Sequence, residues 1–504
     1  MLPTVQIALL PLGKSLTVPK GTSLQDLLFS HGVEFPCGGH GRCQGCKIRI
    51  LAGSLPVTAE DAQRLSPAEL AEGWRLACRA KAEADLKIDL QQWETTVLTD
   101  DSVFAFTPRI GLGIAVDLGT TTLAAQLIDL ETGHVLGVRT ALNAQAQHGA
   151  DIMSRVEFGC SSEGQQILQR FIRKQIEELI DSLLLPPALP VRDVKTIVIV
   201  GNTIMHHLFC GVPVEPMSHY PFEPVAPGLH EFSAQGLGWD IHGNPQVLFL
   251  PCLGGFVGSD ILAGLLATRM HEKDSLNALI DLGTNGEIVI GNKDRLVCAS
   301  TAAGPAFEGA RISMGMRAAT GAISEVDIQD GRLVCRVIGH GEARGICGSG
   351  LVDAVAAALD LALVKPSGRF THGETLQLAD SVQLNQWDIR ELQLAKGAIA
   401  AGFRILLSQW GAAVTDLDQI YLAGAFGNYI NQTSARRIGL LDFPAEKVMP
   451  AGNTALLGAK MALFTQGLTE KSYQGILERV KHVSLHEDPA FQDTYVENMT
   501  FGET

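Results

Sequence analysis

Gly113-Ile-Ala-Val-Asp117-Leu-Gly119-Thr120-Thr121-Thr122-Leu-Ala-Ala-Gln-Leu-Ile128 and Leu279-Ile-Asp281-Leu-Gly283-Thr284-Asn285-Gly286-Glu287-Ile-Val-Ile290 share one design about 164 residues apart. In each, two apolar runs flank a turn of an Asp, a Gly and short polar residues, which predicts a β-hairpin. A tight turn containing glycine exposes consecutive backbone amides, and the threonine hydroxyls add donors, so each hairpin suits phosphate oxygens. Asp117, at the end of the first strand, suits a hydrated Mg²⁺, which takes one or two carboxylates plus phosphate. One such turn alone is ordinary. Two in equivalent apolar settings predict a cleft that grips a triphosphate from both sides. The chain has no G-x-x-x-x-G-K-[ST] run, so the cradle is not a P-loop.

Working outward, Ile197-Val-Ile-Val-Gly201-Asn202-Thr203 is a buried strand entering a polar turn, as a cleft floor requires. The adjacent His206 and His207 point different ways on the helix that follows and read as structural. Val247–Ala267 is long enough to span a bilayer but contains Pro251, Gly254, Gly255, Gly258 and Asp260. It therefore reads as a buried strand, a glycine loop and a helix. Gly304–Gly309 and Gly345–Asp353 read as glycine loops opening helices, whose N-termini suit anions.

The first 95 residues have a different character. Strand-like runs at Val5–Leu10, Lys14–Val18, Lys47–Ile50 and Ala84–Leu90 surround two short helices, with Thr22/Gln25 and Ser66/Glu69 as capping boxes. Cys37, Cys43, Cys46 and Cys78 follow the pattern C-x5-C-x2-C-x31-C. Three thiolates in a tight loop plus one distant thiolate is how a 2Fe–2S cluster is held. Zinc sites more often show two C-x2-4-C pairs. With four thiolates available, His40 reads as a loop residue and not as a ligand. The other six cysteines are scattered singly and read as core.

The chain has 504 residues, enough for three or four domains, and is 46% hydrophobic and 18% charged, which excludes a disordered chain. A net charge of −15 argues against nucleic acid as a partner. The first lysine is Lys14, so no basic leader is expected. A cytoplasmic protein without membrane attachment is expected, with its cysteine cluster ligating and not bridged.

Three resemblances rest on these residues. Residues 1–95 resemble the 2Fe–2S ferredoxins with a β-grasp fold. Residues 113–465, with the tail, resemble the actin, hexokinase and heat-shock-chaperone ATPase superfamily. That resemblance implies a two-lobed α/β (ribonuclease H-like) fold with the two hairpins as its phosphate motifs. It also makes Gly424-Ala425-Phe426-Gly427 the adenosine motif and Ala451–Lys460 a small-residue hinge helix. The order of the modules resembles the reductive activators of corrinoid proteins, with specific matches at Asn143–Arg155, Gly201–His207 and Gly254–Asp260. The implied activity is ATP-dependent reduction of cob(II) to cob(I) on a methyl-transfer partner, with electrons reaching the cluster from an upstream reductase.

The expected organisation is an α+β chain with a ferredoxin domain at 1–95, a linker at 96–112, one lobe at 113–280 and a second at 281–504. Longer members carry an extra domain where this chain has only about seventeen residues. The cofactor set is a 2Fe–2S cluster, ATP and Mg²⁺, with Asp117 or Glu287 orienting the attacking water. A redox-regulated small-molecule kinase of the same fold and a plain electron-transfer subunit are the alternatives. Neither a substrate insertion nor a G-x-G-x-x-G after a strand is evident to support them.

Overall fold

The computed structural model describes residues 3–10, 13–29, 31, 33, 46–90, 102, 104–149, 151–184, 193–465, 467–469 and 471–502. Cys37, Cys43 and the glycine loop around them lie outside the described residues.

The first module comprises β1 (Thr4–Leu10), β2 (Lys14–Pro19), β3 (Thr22–Ser23), α1 (Leu24–Phe29), β4 (Lys47–Ala52), α2 (Ala59–Arg64), α3 (Pro67–Ala71), β5 (Trp74–Leu76), β6 (Lys81–Ala82) and β7 (Leu86–Leu90). The main sheet has the order β2-β1-β7-β4-β5, with β1 and β7 parallel. Alternation in β1 and β7 turns Val5, Ile7, Leu9, Leu86, Ile88 and Leu90 into one core with Leu24 and Leu28 of α1. The Ser66/Glu69 capping box forms as expected, and Thr58/Asp61 supplies another at α2, which the sequence reading omitted. The Thr22 box does not form. Thr22 is in β3, paired with Ala82, and its hydroxyl donates to Pro19 O at 2.6 Å, so the helix begins later, at Leu24.

The first lobe contains β8 (Leu112–Leu118), β9 (Thr122–Asp129), β10 (Val135–Leu142), α4 (Ile152–Gly159), α5 (Ser162–Leu184), β11 (Val194–Gly201), α6 (Thr203–Cys210), β12 (His230–Ser233), β13 (Gln246–Phe249) and α7 (Ser259–Thr268). Its sheet runs β10-β9-β8-β11-β13-β12. Six of the seven residues of β8 are buried, as expected of a central strand covered on both faces. Leu168, Ile172, Ile176, Leu179, Ile180 and Leu183 form the apolar stripe of α5.

The second lobe contains β14 (Asn277–Leu282), β15 (Gly286–Gly291), β16 (Leu296–Thr301), β17 (Ala322–Gln329), β18 (Arg332–Val337), β19 (Gly345–Ile346), α8 (Gly348–Asp360), β20 (Thr375–Ala379), β21 (Val382–Asn385) and α9 (Gln386–Trp410). It continues with β22 (Gln419–Ala423), α10 (Gly424–Tyr429), α11 (Gln432–Arg437), β23 (Val448–Gly452), α12 (Thr454–Ala462), α13 (Lys471–Leu477), β24 (Val480–His482) and α14 (Phe491–Glu497). Its main sheet runs β23-β22-β14-β15-β16-β24. With the edge strands β12 and β24 set aside, both lobes follow the order 3-2-1-4-5, so the repeat seen in two short hairpins extends to the sheets. The 280/281 division falls inside β14, all of which pairs in the second sheet. Gly304–Gly309 opens only a single helical turn, Pro305–Glu308.

Helices α7 and α12 lie between the lobes. Ile261, Leu262, Leu456 and Ala459 share a core with Ala115 and Val198 of one sheet and Leu279, Val289 and Tyr421 of the other. The helices touch backbone to backbone: a Cβ on Gly458 would sit 2.1 Å from Ala263 O. The described part of the expected linker packs on the large domain. Phe104 and Phe106 pack on Phe464, with ring centroids 5.5 and 4.4 Å away, and Arg109 N donates to Leu130 O, so its second half belongs to the large domain.

Candidate functional site

The two hairpins meet at their tips. Gly119 N donates to Thr122 O and Gly283 N donates to Asn285 O, each at 3.0 Å, closing two equivalent turns. Thr121 Oγ1 of the first lies 3.1 Å from Thr284 Oγ1 of the second. Glu308 joins them: its carboxylate accepts from Thr121 Oγ1 at 3.2 Å and from Thr284 Oγ1 at 2.7 Å. Thus one anionic group already occupies the hydroxyls expected to face phosphate.

The first turn is held from behind. Asn143 Nδ2 donates to Gly119 O at 2.8 Å, Asn143 N to Thr121 O at 2.9 Å and Arg155 Nη2 to Thr120 O at 2.5 Å. Arg155 is fully buried, and the loss of water holds its guanidinium down at about 9. Asn202, at the N-cap of α6, donates through Nδ2 to Thr120 Oγ1 at 2.9 Å. The carbonyls of Gly119 and Thr120 are therefore satisfied by side chains, and that of Thr121 by the Asn143 amide.

Below the tips lie four carboxylates: Asp117, Asp260, Asp281 and Glu287. Burial is the largest cause raising each one. It lifts Asp117 to about 6, against the donation from Asn453 Nδ2 at 3.0 Å. Asp281 rises to about 7 by burial and the charge of Asp117, and Asp260 to about 8 by burial, Asp281 and Asp117. Glu287 is raised well above its ordinary value by burial, Asp260 and Asp281, while the Ser300 hydroxyl opposes the shift. Four oxygen ligands that repel one another suit a hard divalent cation, so the residues fit Mg²⁺.

On the second lobe the cleft is lined by Phe307, Phe426, Tyr429, Arg317, Cys347 and Ser349. Phe426 stacks on Phe307 with centroids 4.5 Å apart and an interplanar angle of 22°. Gly424 has φ of +82°, and a Cβ there would lie 2.6 Å from Asp281 Oδ1, so glycine is required both by conformation and by closeness. Of the site residues named from sequence, Asp117, Gly119, Thr120, Thr121, Thr122, Asp281, Gly283, Thr284, Asn285, Glu287, Gly424 and Phe426 line this cleft. Gly286 and Gly427 do not: a Cβ on the first would meet Ile399 and Thr301, and Gly427 faces Leu422. Ala425 belongs to α10, and its side chain lies outside the described residues. Asn202, in the polar turn expected at the cleft floor, lines the cleft, whereas sequence reasoning missed Glu308 and Asn453 as cleft residues. Each comes from a different loop, and each showed only a common polar residue beside a turn.

In the first module, Cys46 is buried and Cys78 half-buried, with Ala77 N donating to Cys46 O at 3.0 Å. The 31-residue gap is therefore closed by the pairing of β4 with β5, which sets the two thiols on neighbouring strand ends. The module touches both lobes. Leu142, Ala144 and Ala146 of the first lobe pack on its core. From the second, Arg344 Nη1 meets Asp89 Oδ1 at 3.0 Å and Leu90 O at 3.3 Å. The lobe-I contact flanks Asn143, the residue that grips the first phosphate hairpin.

Comparison with known proteins gives concordant matches. A model described as the C-terminal ASKHA domain of RACo matches residues 275–504, and one described as the RACo middle region matches 112–273. A 2Fe–2S iron–sulfur cluster binding domain matches 7–83. The corrinoid activation enzyme RamQ of Eubacterium limosum is 35% identical over 425 residues, covering 78% of this chain and 70% of that protein. The Co(II) methylated amine-specific corrinoid protein reductase of Methanosarcina barkeri is 29% identical, covering 74% and 73%. A solved structure, the reductive activator for corrinoid,iron-sulfur protein, superposes with a TM-score of 0.70 at 26% identity, covering 99% of this chain and 98% of that one.

Proposed function

Because the chain belongs to the RACo family of reductive activators of corrinoid proteins, we propose that it uses ATP to drive one-electron reduction of a partner's cob(II) corrinoid to cob(I). The observation that carries the ATP half is the 3.1 Å approach of Thr121 to Thr284 above four buried carboxylates.

Cys37, Cys43, Cys46 and Cys78 would hold the 2Fe–2S cluster, which supplies a one-electron carrier fed by an upstream reductase. The amides of the two turns and the hydroxyls of Thr120, Thr121, Thr122 and Thr284 bind the phosphates, with Asn285 beside them. Asp117, Asp281, Asp260 and Glu287 would hold Mg²⁺, which neutralises phosphate charge. Phe426, stacked on Phe307, and Tyr429 form the face for the base, with Gly424 giving the backbone its close approach. Asp117 and Glu287 are the candidates for orienting the attacking water, and Asn453 keeps Asp117 in place.

The energetics explain why the two modules share a chain. An electron moved uphill by about 59 mV costs about 1.4 kcal/mol, so a few hundred millivolts needs several kcal/mol. Nucleotide supplies it only by binding one lobe arrangement better than another. Displacement of Glu308 from the hairpin hydroxyls, with rearrangement about α7 and α12, is the step that this structure prepares. Asn143 ties the same hairpin to the segment seated on the ferredoxin module. Closure therefore alters how that module is held.

No described helix is long and apolar enough to cross a membrane. A cytoplasmic setting is what a ligating, metal-holding cysteine cluster favours. The test is phosphate release from ATP by the cluster-loaded protein. Stimulation by a cob(II) corrinoid protein, and not by its cob(I) form, is expected. Release indifferent to both, or transfer of phosphate to a metabolite, would contradict the proposal.

A further inference from the structure

On the far side of the first lobe, α6 carries His206 and Cys210 four residues apart, hence on one face of the helix. The chain returns 20 residues later to place His230, the first residue of β12, beside them. One ligand atom from each of the three lies within 4.8 Å of the others. From these placements we propose that His206, Cys210 and His230 form a second metal site, for a zinc-class ion, unrelated to the cluster and to the nucleotide cleft.

Zinc takes nitrogen at about 2.0–2.1 Å and thiolate sulfur at about 2.3 Å, so ligand atoms around one ion stand roughly 3.5 Å apart. The three side chains need only a small inward movement. Their surroundings already resemble an outer shell. His206 Nε2 lies 3.0 Å from Gly228 O and His230 Nε2 lies 3.2 Å from Ala226 O, each ring thus oriented through one nitrogen by a carbonyl. That is how metal-bound imidazoles are commonly fixed. The other nitrogen of His206, Nδ1, lies 3.3 Å from His207 Nδ1, a contact that an ion bound through Nδ1 would replace. Metal binding at Cys210 takes the thiolate, its proton leaving to solvent. His207 Nε2, in the ring alongside, is buried without a partner. Two imidazoles and one thiolate suit zinc better than magnesium or calcium. The half-buried state of Cys210 and His230 leaves an entry path and a fourth position for water.

The competing account is packing alone: His206 also meets Phe249 and His230 edge to face, at 4.8 and 5.0 Å. His230→Phe keeps an aromatic ring there and removes the ligand, while Cys210→Ser is nearly isosteric. The full-length, cluster-loaded protein is equilibrated with micromolar Zn²⁺, desalted, and its zinc and iron counted, with the zinc environment read by X-ray absorption. The expected result is one zinc per chain beside two irons and a single sulfur neighbour at about 2.3 Å. Zinc affinity should fall in each variant by more than the 10–100-fold that outer-shell changes cost. An unchanged thermal unfolding transition of the large domain in both variants shows that the first lobe folds. Zinc uptake equal in all three proteins, no uptake by the parent, or zinc gained only as iron is lost would each overturn the site.

Discussion

At the residue scale the cleft is an arrangement of charges that cancel only when a ligand arrives. Glu308 accepts from both hairpin hydroxyls, so a phosphate must displace it and meets its negative charge. Glu308→Gln keeps the shape and removes that charge. ATP affinity should rise by about five- to tenfold, about 1–1.4 kcal/mol, as measured by isothermal titration. Weaker binding would mean that Glu308 supports the ligand instead. The carboxylates below give a pH dependence with a defined sign. Asp117, Asp281 and Asp260 bind protons more tightly folded, at about 6, 7 and 8, than unfolded, at about 3.9. Stability without divalent cation should therefore fall as pH rises from about 4 to about 8. Each kcal/mol lost lowers the melting temperature by roughly 2–4 °C in a unit of 150–250 residues. Mg²⁺ with nucleotide should reverse the trend in calorimetry, and a flat profile would show that the cluster is not mutually repelling. Asn453 combines two duties, capping α12 through Leu456 N at 2.8 Å and donating to Asp117. The hinge helix and the acidic site thus share one side chain.

At the scale of elements, the hairpins were legible because their information is local: apolar strands, a glycine turn and hydroxyls within a dozen residues. The same holds for the Ser66 cap and for the strand, loop and helix in Val247–Ala267. What stayed hidden depends on topology. Glu308 and Asn453 become neighbours of the cleft only because both lobes repeat the same strand order. His230 joins α6 only because β12 returns to the edge of the sheet. Thr22 misled because a hydroxyl before an apolar run looks the same whether it caps a helix or ends a strand pairing. Gly458 reads as a simple small residue, yet it lets α12 touch the backbone of α7. Gly458→Val must push the helices apart at a typical cost of about 1–3 kcal/mol. Partner-stimulated ATP hydrolysis should drop severalfold more than nucleotide binding. Equal loss of both would remove the hinge from the account.

At the scale of the whole molecule, the ferredoxin module rests on both lobes, through Leu142, Ala144 and Ala146 on one side and Arg344 with Asp89 on the other. The half-buried ion pair contributes about 1 kcal/mol at most. Arg344→Ala should therefore raise nucleotide-independent electron transfer to the partner by up to roughly fivefold, with the cluster spectrum unchanged. A fall would indicate that the docked position is itself the transferring one. The most direct measurement is a stopped-flow mix of the protein, its cluster reduced beforehand, with a cob(II) corrinoid protein, following cobalt absorption with ATP, without nucleotide, and with Asp117→Asn plus ATP. The account predicts rapid appearance of cob(I) in the first mixture alone. Equal rates in all three would contradict it, because the electron would then need nothing from the nucleotide cleft.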